Sequence, residues 1–404
     1  MEQNSIKKRK GEEPMIYVGI DVAKDKHDCI ITNSDGEVLI SGFTIPNNRK
    51  GLDDLYSKII KCSKNKSEIK IGLEATGHYS NNLLEYLIDK DLPTFVINPL
   101  HTNLYRKSLS LRKTKTDTID AYSIVTMLHS EYLKSYTPVS YHISELKSLA
   151  RYRFSLVQDC ARQKSSYARL LNLLFPELQS LITTIHLPSM YAMLEELPGA
   201  TYIAECHLTH LLNILQTTSR SQYGKEKAKA IRDVARASIG TNSLAKSLEL
   251  KQTIQLIRSM QEQIKNIEAK IKPIVDSIES PIMTIPGISY NMGSIILAEI
   301  GDFSRFETAE KILAYAGLEP SIYQSGNLVS NHATMVKRGS KYLRYALFTA
   351  AKLISIHDPT FAAYMSKKRS EGKHYYVAVS HAAKKLVRVI YYLVKTNQTY
   401  HKAG

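Results

Sequence analysis

Cysteine is scarce in this chain, and its few cysteines do not form a motif. The 404 residues include only Cys29, Cys62, Cys160 and Cys206, none of them in a Cys-x-x-Cys pair. Zinc sites and disulfide frameworks are typically built from closely spaced cysteines. The sequence therefore favours neither and fits a reducing cytoplasm.

Long apolar runs are also missing. No stretch approaches the roughly 18 apolar residues that a membrane-spanning helix needs. The start of the chain is polar, with the basic run Lys7-Lys8-Arg9-Lys10, and has no apolar core of the kind found in a signal peptide. We expect a cytoplasmic protein without a membrane partner, in which residues 1–14 form a basic tail.

Acidic residues are outnumbered by basic ones. The 54 Lys and Arg residues exceed the 38 Asp and Glu residues, which gives a formal net charge of +16. An excess of this size is typical of proteins that bind a polyanion, most often nucleic acid. The alternative is a protein whose basic surface has no such partner.

Residues 15–135 have the pattern of an α/β domain. Ile16 to Asp21 is an apolar run, and two further runs are joined at Asn33-Ser34-Asp35-Gly36, where Asp-Gly predicts a hairpin. Helical and strand patterns then alternate through a strand ending at Glu74 and another over 94–97. Three antiparallel strands followed by helix, strand, helix and strand is the order of the ribonuclease-H-like fold.

The remainder of the chain is predicted to be mainly α-helical, in two regions. Over residues 142–280, Ile254, Ile257, Met260, Ile264, Ile267 and Ile271 recur at intervals of three and four. This stripe predicts either a coiled-coil seam or an intramolecular helical hairpin. The region 281–404 opens with Ile285-Pro286-Gly287-Ile288, which resembles the turn of a helix-hairpin-helix. Such a turn would place Gly287 against a nucleic-acid phosphate.

Four carboxylates stand where the predicted elements end or begin. Asp21 ends the first strand, Glu74 ends a later one, and Asp117 and Asp120 lie at a helix start. The i, i+3 spacing places the last two on one helical face. Each also has a structural explanation, as a strand end or as a helix-start acid. If all four converge, a hard divalent cation, Mg²⁺ or alternatively Mn²⁺, would relieve their repulsion.

The C-terminal region offers a hydroxyl and a group of cations. Ser325 precedes Gly326, a pair that would allow a phosphate to approach the backbone closely; a deprotonated serine hydroxyl is a nucleophile, although a simple turn is the alternative. Nearby are the candidate phosphate contacts Lys337, Arg338, Lys341 and Arg344, with a solvated helix start as the competing interpretation.

These motifs together resemble the DEDD transposases of the insertion-sequence one-hundred-and-ten family. The similarity covers most of the chain in order. The matching segments are Gly19-Ile20-Asp21-Val22-Ala23-Lys24, Glu74-Ala75-Thr76-Gly77, Lys115-Thr116-Asp117-Thr118-Ile119-Asp120-Ala121, and the block from Phe306 through Ser325-Gly326 to Leu343-Arg344.

The resemblance implies a RuvC-like domain joined through a coiled coil to a C-terminal transposase domain. In such proteins the four acids bind Mg²⁺, and a serine, here Ser325, attacks DNA to form a transient phosphoserine link. Ser321, Ser330 and Ser340 stand nearby as alternative nucleophiles. The resemblance also implies DNA, a structured guide RNA and further copies of the chain as partners, in a prokaryotic, nucleoid-associated setting.

Other functions share some of these features. A RuvC-like nuclease or junction resolvase could use the same acids with water as nucleophile. A non-catalytic nucleic-acid-binding protein would share the charge but would have no need of four acids. A sugar-kinase-type ATPase also begins with a strand ending Gly-Ile-Asp, yet its further glycine-rich phosphate loops are absent here.

Overall fold

The computed structural model describes residues 15–74, 78–97, 117–129, 141–219, 223–320 and 335–401, together with positions 99, 102, 105, 324–325 and 328–329. The chain divides into two compact units, Met1–Pro138 and Val139–Gly404. Among the helices in these ranges, none is long and apolar enough to cross a membrane.

The first unit contains a five-stranded mixed sheet. Strands β1 (Ile16–Val22), β2 (Lys26–Asn33) and β3 (Val38–Pro46) form an antiparallel meander, while β4 (Ile69–Glu74) and β5 (Thr94–Ile97) run parallel to β1. The strand order is β3-β2-β1-β4-β5. This is the ribonuclease-H-like order that the sequence predicts.

Helices cover both faces of this sheet. Helices α1 (Arg49–Cys62) and α2 (Tyr79–Asp89) pack on one face, around Val18, Ile20 and Ile71. Helix α3 (Asp117–Leu128) packs on the other, against Tyr17, Ile30 and Phe95. The predicted hairpin turn is confirmed, because Asn33 Oδ1 accepts hydrogen bonds from the Asp35 and Glu37 amides.

The second unit is built around two long helices, α4 (Tyr141–Leu174) and α10 (Leu244–Ile278). Ion pairs Arg153–Glu268 (2.6 Å) and Arg169–Glu249 (3.0 Å) join them, so the helices run antiparallel. The Ile254–Ile271 stripe packs mainly inside this hairpin and its neighbours. The stripe therefore forms the helical hairpin, and an intermolecular coiled coil is not confirmed.

Shorter helices pack against both ends of this hairpin. Those between the two long helices are α5 (Leu178–Leu181), α6 (Pro188–Glu196), α7 (Ala200–Glu205), α8 (Leu208–Ser219) and α9 (Lys225–Arg236). Those that follow are α11 (Tyr290–Ile300), α12 (Ala309–Ala316), α13 (Lys341–His357), α14 (Pro359–Ser370) and α15 (Tyr375–Thr396). Two strands of two residues each, β6 (Gln324–Ser325) and β7 (Leu328–Val329), form a hairpin that follows α12 and precedes α13 in the chain.

The expected helix-hairpin-helix is not confirmed. The segment before the Pro-Gly turn is only a 3₁₀ turn, Pro281–Thr284. Gly287 has φ of +89°, and a Cβ there would lie 2.8 Å from the Ile354 amide nitrogen and the Leu353 Cβ. Gly287 therefore permits α13 to pack closely against the turn, which is a packing role; contact with a phosphate stays untested.

Candidate active site

Two glycines on neighbouring strands allow α3 to lie directly on the sheet. Gly19 of β1 and Gly72 of β4 are register partners. A Cβ at Gly19 would lie 2.2 Å from the Ala121 carbonyl oxygen, and one at Gly72 would lie 2.7 Å from the Ile124 Cγ2. Because neither glycine has a side chain, the helix reaches the backbone of the two central strands.

The direction of α3 follows from three contacts along β1. The His129 ring, just past the helix end, stacks on Tyr17 at 4.0 Å between ring centres. Ala121 and Val125 lie over Gly19, two residues further along the strand. Moving from residue 129 towards the start of the helix thus corresponds to moving from Tyr17 towards Asp21, so the first turn of α3 approaches the strand ends.

Three carboxylate positions follow one another across those strand ends. Asp28 of β2 is the register partner of Asp21. The β1–β4 pairing runs to Ile20 and Leu73, so the next step of the same register joins Asp21 to Glu74. Adjacent strands are about 4.8 Å apart. Asp21 and Glu74 each lie two residues beyond a glycine that faces α3, so their side chains are on the α3 face.

The first turn of α3 contributes the other two acids. Asp120 is half-buried and lies one turn before Ile124, which covers Gly72 on β4. Asp117 begins the helix, one turn before Ala121, which covers Gly19. The backbone thus brings all four predicted acids to one end of the sheet. The side chain of Asp117 lies outside the described part of the structure.

Oxygen donors of this kind suit a hard divalent cation in chemical terms. Among the side chains that the structure describes, however, no three His, Cys, Asp or Glu residues approach closely enough to hold a metal ion. The donor chemistry and the backbone placement fit Mg²⁺, while side-chain coordination of an ion stays a prediction.

Two residues beside the acids were missed by the sequence analysis. Thr102 is buried, and its hydroxyl lies 3.0 Å from Glu74 Oε2 and 2.9 Å from the Pro99 carbonyl oxygen. Asp28 lies across from Asp21 and is bound by Lys26 at 3.2 Å and by the Thr44 hydroxyl. Pairing the two strands symmetrically about their turn would have placed Asp28 opposite Asp21; no sequence signal indicates Thr102.

In the second unit, Ser325 lies in the β6–β7 hairpin, where it pairs with Leu328. The side chain of Ser325 is outside the described residues. We call residues 318–336 the serine segment. Its two ends are joined by a bridge between Pro320 and Met335 and by the bond from the Val336 amide to the Glu319 carbonyl oxygen. The described ends of the segment are therefore held together beside α12.

Comparison with known proteins shows the family. A protein-family model for DEDD transposases of the IS110 type matches residues 18–176. A second family model, described as the transposase of the IS116/IS110/IS902 family, matches residues 279–366. Together they cover more than half of the chain. The chain belongs to the IS110 family of transposases.

Individual relatives extend over nearly the full length. The pilin gene-inverting protein of Moraxella lacunata is 25% identical over 395 residues, which is 96% of this chain and 98% of the relative. The 44.8 kDa protein of insertion element IS116 from Streptomyces clavuligerus is 23% identical, with 96% of both chains covered. A structure of T. thermophilus RuvC in complex with a Holliday junction substrate is also similar, with 10% identity and a TM-score of 0.22 over 30% of this chain and 99% of that one.

The predicted phosphate contacts of this family member differ in their surroundings. Lys337, Arg338 and Lys341 are exposed. Arg344 instead turns inward: its Nη1 donates to the Ala316 carbonyl oxygen at 3.0 Å and to that of Lys337 at 3.2 Å. Arg344 therefore joins the last carbonyl of α12 to the loop that precedes α13, and this structural role accounts for its partial burial.

A buried carboxylate binds the N-cap residue of α13. Glu299 of α11 accepts two hydrogen bonds from Arg151 (2.6 and 2.9 Å) and one from the Ser340 hydroxyl (2.8 Å). Burial by itself raises the pKa of the Glu299 carboxyl, but the hydrogen bonds from Arg151 and Ser340 and the charge of Lys147 outweigh it, so the pKa lies below its ordinary value.

The same contacts bear on the choice of nucleophile. The Ser340 oxygen also accepts a hydrogen bond from the Leu343 amide, as the N-cap of α13. Because its hydroxyl donates a hydrogen bond to Glu299 and its oxygen caps a helix, Ser340 has a structural role. Of the alternative serines, Ser321 and Ser330 lie outside the described residues.

Proposed function

We propose that this IS110-family transposase cuts and rejoins DNA with a serine nucleophile and a divalent-metal site, as a recombinase of its own mobile element. Its partners would be the element ends, the target DNA, a structured guide RNA and further copies of the chain. Because the substrate is DNA, we expect the protein at the nucleoid of a prokaryotic cell.

The observation that carries this proposal is the contact of α3 with the Gly19–Gly72 pair. That contact directs the helix start, with Asp117 and Asp120, towards the strand ends that bear Asp21 and Glu74. An arrangement in which the four acids served only as strand ends and helix caps would not require this convergence. Family membership supports the same assignment.

Each group has a distinct task in the proposed reaction. The Ser325 oxygen forms a bond to the scissile phosphorus as the bond from phosphorus to a deoxyribose oxygen breaks; the serine proton leaves to a carboxylate, and the departing oxygen takes up a proton. Asp21, Glu74, Asp117 and Asp120 would hold Mg²⁺, with Mn²⁺ as a substitute. When bound there, such an ion would offset the negative charge on the phosphate oxygens.

Because phosphoserine keeps the energy of the broken ester bond, the reverse attack by a DNA hydroxyl rejoins the strand without a further energy source. The four acids would also hold the scissile phosphate in position for attack. In this account base pairing with the guide RNA selects the sequence, and the protein contacts backbone and shape, as in other guided systems.

A covalent-trapping assay tests the proposal. Purified full-length protein would be incubated with labelled element-end DNA, its flanking RNA and Mg²⁺, then separated on a denaturing gel. We expect a DNA-linked protein band that Ser325→Ala and Asp21→Ala both lose. Matched controls are Ser259→Ala and Asp54→Ala, exposed residues on α10 and on the opposite face of the sheet, which should retain the band.

Other outcomes would select a different function. Cleaved DNA without an adduct, unaffected by Ser325→Ala but lost in Asp21→Ala, would mean a nuclease that uses water. Nucleic-acid binding without cleavage, equal in wild type and in all four variants of the acids, would mean a binding protein. Normal activity after any one acid is replaced by alanine would remove that residue from the site.

A further inference from the structure

The turn between α14 and α15 carries a dense group of cations. Residues 366–377 contain four Lys and Arg side chains, at 367, 368, 369 and 373, and a single acid, Glu371. That acid is already bound by Lys368 at 2.8 Å. Every residue from Ser370 to Val377 is exposed. The turn therefore presents an excess of positive charge directly to solvent.

The local backbone joins two of these lysines, Lys368 and Lys373, at the end of α14. Helix α14 ends at Ser370, and Gly372 follows its C-cap with φ of +76°. The Gly372 amide donates to the Arg369 carbonyl oxygen (3.0 Å), and the Lys373 amide donates to that of Lys368 (3.2 Å). This is a Schellman motif, in which the residues corresponding to Lys368 and Lys373 frequently form an apolar contact. Here both positions are lysines, so this helix end carries positive charge at the two positions where other helices often have an apolar contact.

Lys384 of α15 adds a further cation near this turn. Burial lowers the pKa of His381, and the charges of Lys384, Lys368 and Lys373 lower it further, outweighing the opposite influence of Glu371. Lys368 of α14, Lys373 of the turn and Lys384 of α15 therefore lie near enough to His381 to influence its charge.

Aromatic rings stand directly beside these cations. Tyr375 and Tyr376, at the start of α15, are 43% and 57% exposed, and their ring centres are 5.4 Å apart. The His374 ring lies 5.8 Å from that of Tyr376, and Lys352 Nζ lies 5.2 Å from the centre of the Tyr376 ring. Neither tyrosine is buried in the core of the second unit, so packing does not account for the exposed rings.

We propose that the α14–α15 turn surface, formed by Lys367, Lys368, Arg369, Lys373, Tyr375 and Tyr376, binds an unpaired DNA strand. Its cations contact phosphates, and bases stack on the two tyrosine rings. This surface is separate along the chain from the candidate contacts Lys337, Arg338 and Lys341, and its function does not depend on the metal site or on Ser325.

The combination of charge and rings determines the partner. Cations alone would suit any polyanion, including duplex DNA, because duplex binding requires only phosphate contacts. Exposed rings can stack on bases only where those bases are unpaired, and cationic grooves lined with aromatic rings are the usual means of binding single strands. DNA is the nucleic acid on which a transposase acts, and strand exchange exposes unpaired segments of it.

Fluorescence anisotropy with full-length protein in EDTA tests the proposal, because metal-dependent chemistry is then silent. The probes are a labelled DNA single strand, a hairpin duplex and an RNA strand of the same sequence. We expect Tyr375→Ala/Tyr376→Ala to weaken single-strand binding by about tenfold for each ring removed and to leave duplex binding unchanged. The matched control is Tyr392→Ala on the same helix, where the side chain is 55% exposed.

A charge variant provides the second measurement. Lys367→Ala/Lys373→Ala should lower the slope of log affinity against log salt for the single strand by about 1.4, which is about 0.7 for each phosphate contact. Lys311→Ala/Lys265→Ala, two exposed lysines of the same unit, is the control. Unchanged circular dichroism and thermal unfolding would confirm that each variant folds.

Three results would overturn the inference. The tyrosine variant could bind the single strand as Tyr392→Ala does, which would exclude stacking. Duplex and single strand could lose affinity equally, which would reduce the surface to unspecific charge. The RNA strand could bind wild type more tightly than DNA does and lose more in the variants, which would assign the surface to RNA. The covalent-trapping assay is unaffected by any of these, so the two proposals fail separately.

Discussion

Replacing Gly19 by alanine should disrupt the candidate active site without touching any of its acids. The new Cβ would lie 2.2 Å from the Ala121 carbonyl oxygen and 2.7 Å from Val125 Cγ2, whereas non-bonded carbon atoms prefer about 3.5 Å or more. Because the nearest atom belongs to the helix backbone, a side-chain rotation cannot relieve the contact. Helix α3 must move away from the sheet by about 1 Å.

The expected losses of stability and of activity follow from that displacement. Overpacking of this kind costs about 1–3 kcal/mol, and we expect about 2 kcal/mol for Gly19→Ala. A displacement of about 1 Å at reacting groups can cost a factor of about 100 in rate. Gly72→Ala should be milder, about 1 kcal/mol, because its new Cβ meets the Ile124 Cγ2 and the Leu128 side chain, which can rotate.

Urea unfolding and Mg²⁺-dependent strand cleavage would be measured on both variants, with Mn²⁺ affinity by titration calorimetry as an independent readout of the acids. The control is Gly224→Ala, where nothing lies within 4 Å of the new Cβ. Wild-type stability, activity and ion affinity in Gly19→Ala would show that α3 does not lie on this strand. A larger loss in Gly72→Ala than in Gly19→Ala would contradict the assigned contacts.

Three further predictions concern the second unit. Glu299→Gln should lower the free energy of unfolding by about 2 kcal/mol at neutral pH, because the partly buried Arg151 guanidinium loses its charged partner. Since the pKa of Glu299 lies below its ordinary 4.5, the stability contributed by its carboxylate is present above that value and is lost as the pH falls through the folded pKa. The urea midpoints of wild type and variant should therefore converge in acid. Arg344→Ala should lower stability by about 2 kcal/mol, because it removes charge-assisted hydrogen bonds to two carbonyl oxygens. Lys341→Ala should leave stability unchanged and reduce the salt slope of duplex binding by about 0.9. Equal unfolding midpoints for the two variants would argue against a structural role of the Arg344 hydrogen bonds. Arg153→Glu should destabilise the helical hairpin, and adding Glu268→Arg should restore it at any protein concentration, because the pair is intramolecular; restoration only at high concentration would indicate an intermolecular pair.

The identity of the candidate site residues came from local sequence. Strand-end acids such as Asp21 and Glu74 are recognisable because an apolar run stops at each of them, and Asp117 and Asp120 because they share a helical face. The alternation of strands and helices also predicted the sheet order, since consecutive antiparallel strands and helical crossovers leave few arrangements. These features depend on residues that are near each other in the chain.

Side-chain partners could not be predicted in the same way. The sequence predicts Arg344 to be a phosphate contact because it lies in a basic run, yet its guanidinium binds the carbonyl oxygens of Ala316, at the end of α12, and of Lys337. The sequence offers Ser340 as one of several alternative nucleophiles, yet its side chain caps a helix and binds Glu299. Whether a polar group faces solvent or a neighbouring helix depends on packing between distant segments, which local patterns do not contain.

The sequence by itself determined the family and the ribonuclease-H-like order and predicted the four acids, because these depend on periodicity and on local motifs. The tertiary structure decided which atoms meet. It showed that Gly19 and Gly72 admit α3 to the sheet, that the isoleucine stripe closes a helical hairpin within the chain, and that Glu299 joins Arg151 to Ser340. The physical reason is that close approach and burial are properties of pairs of surfaces, and each partner alone is compatible with many others.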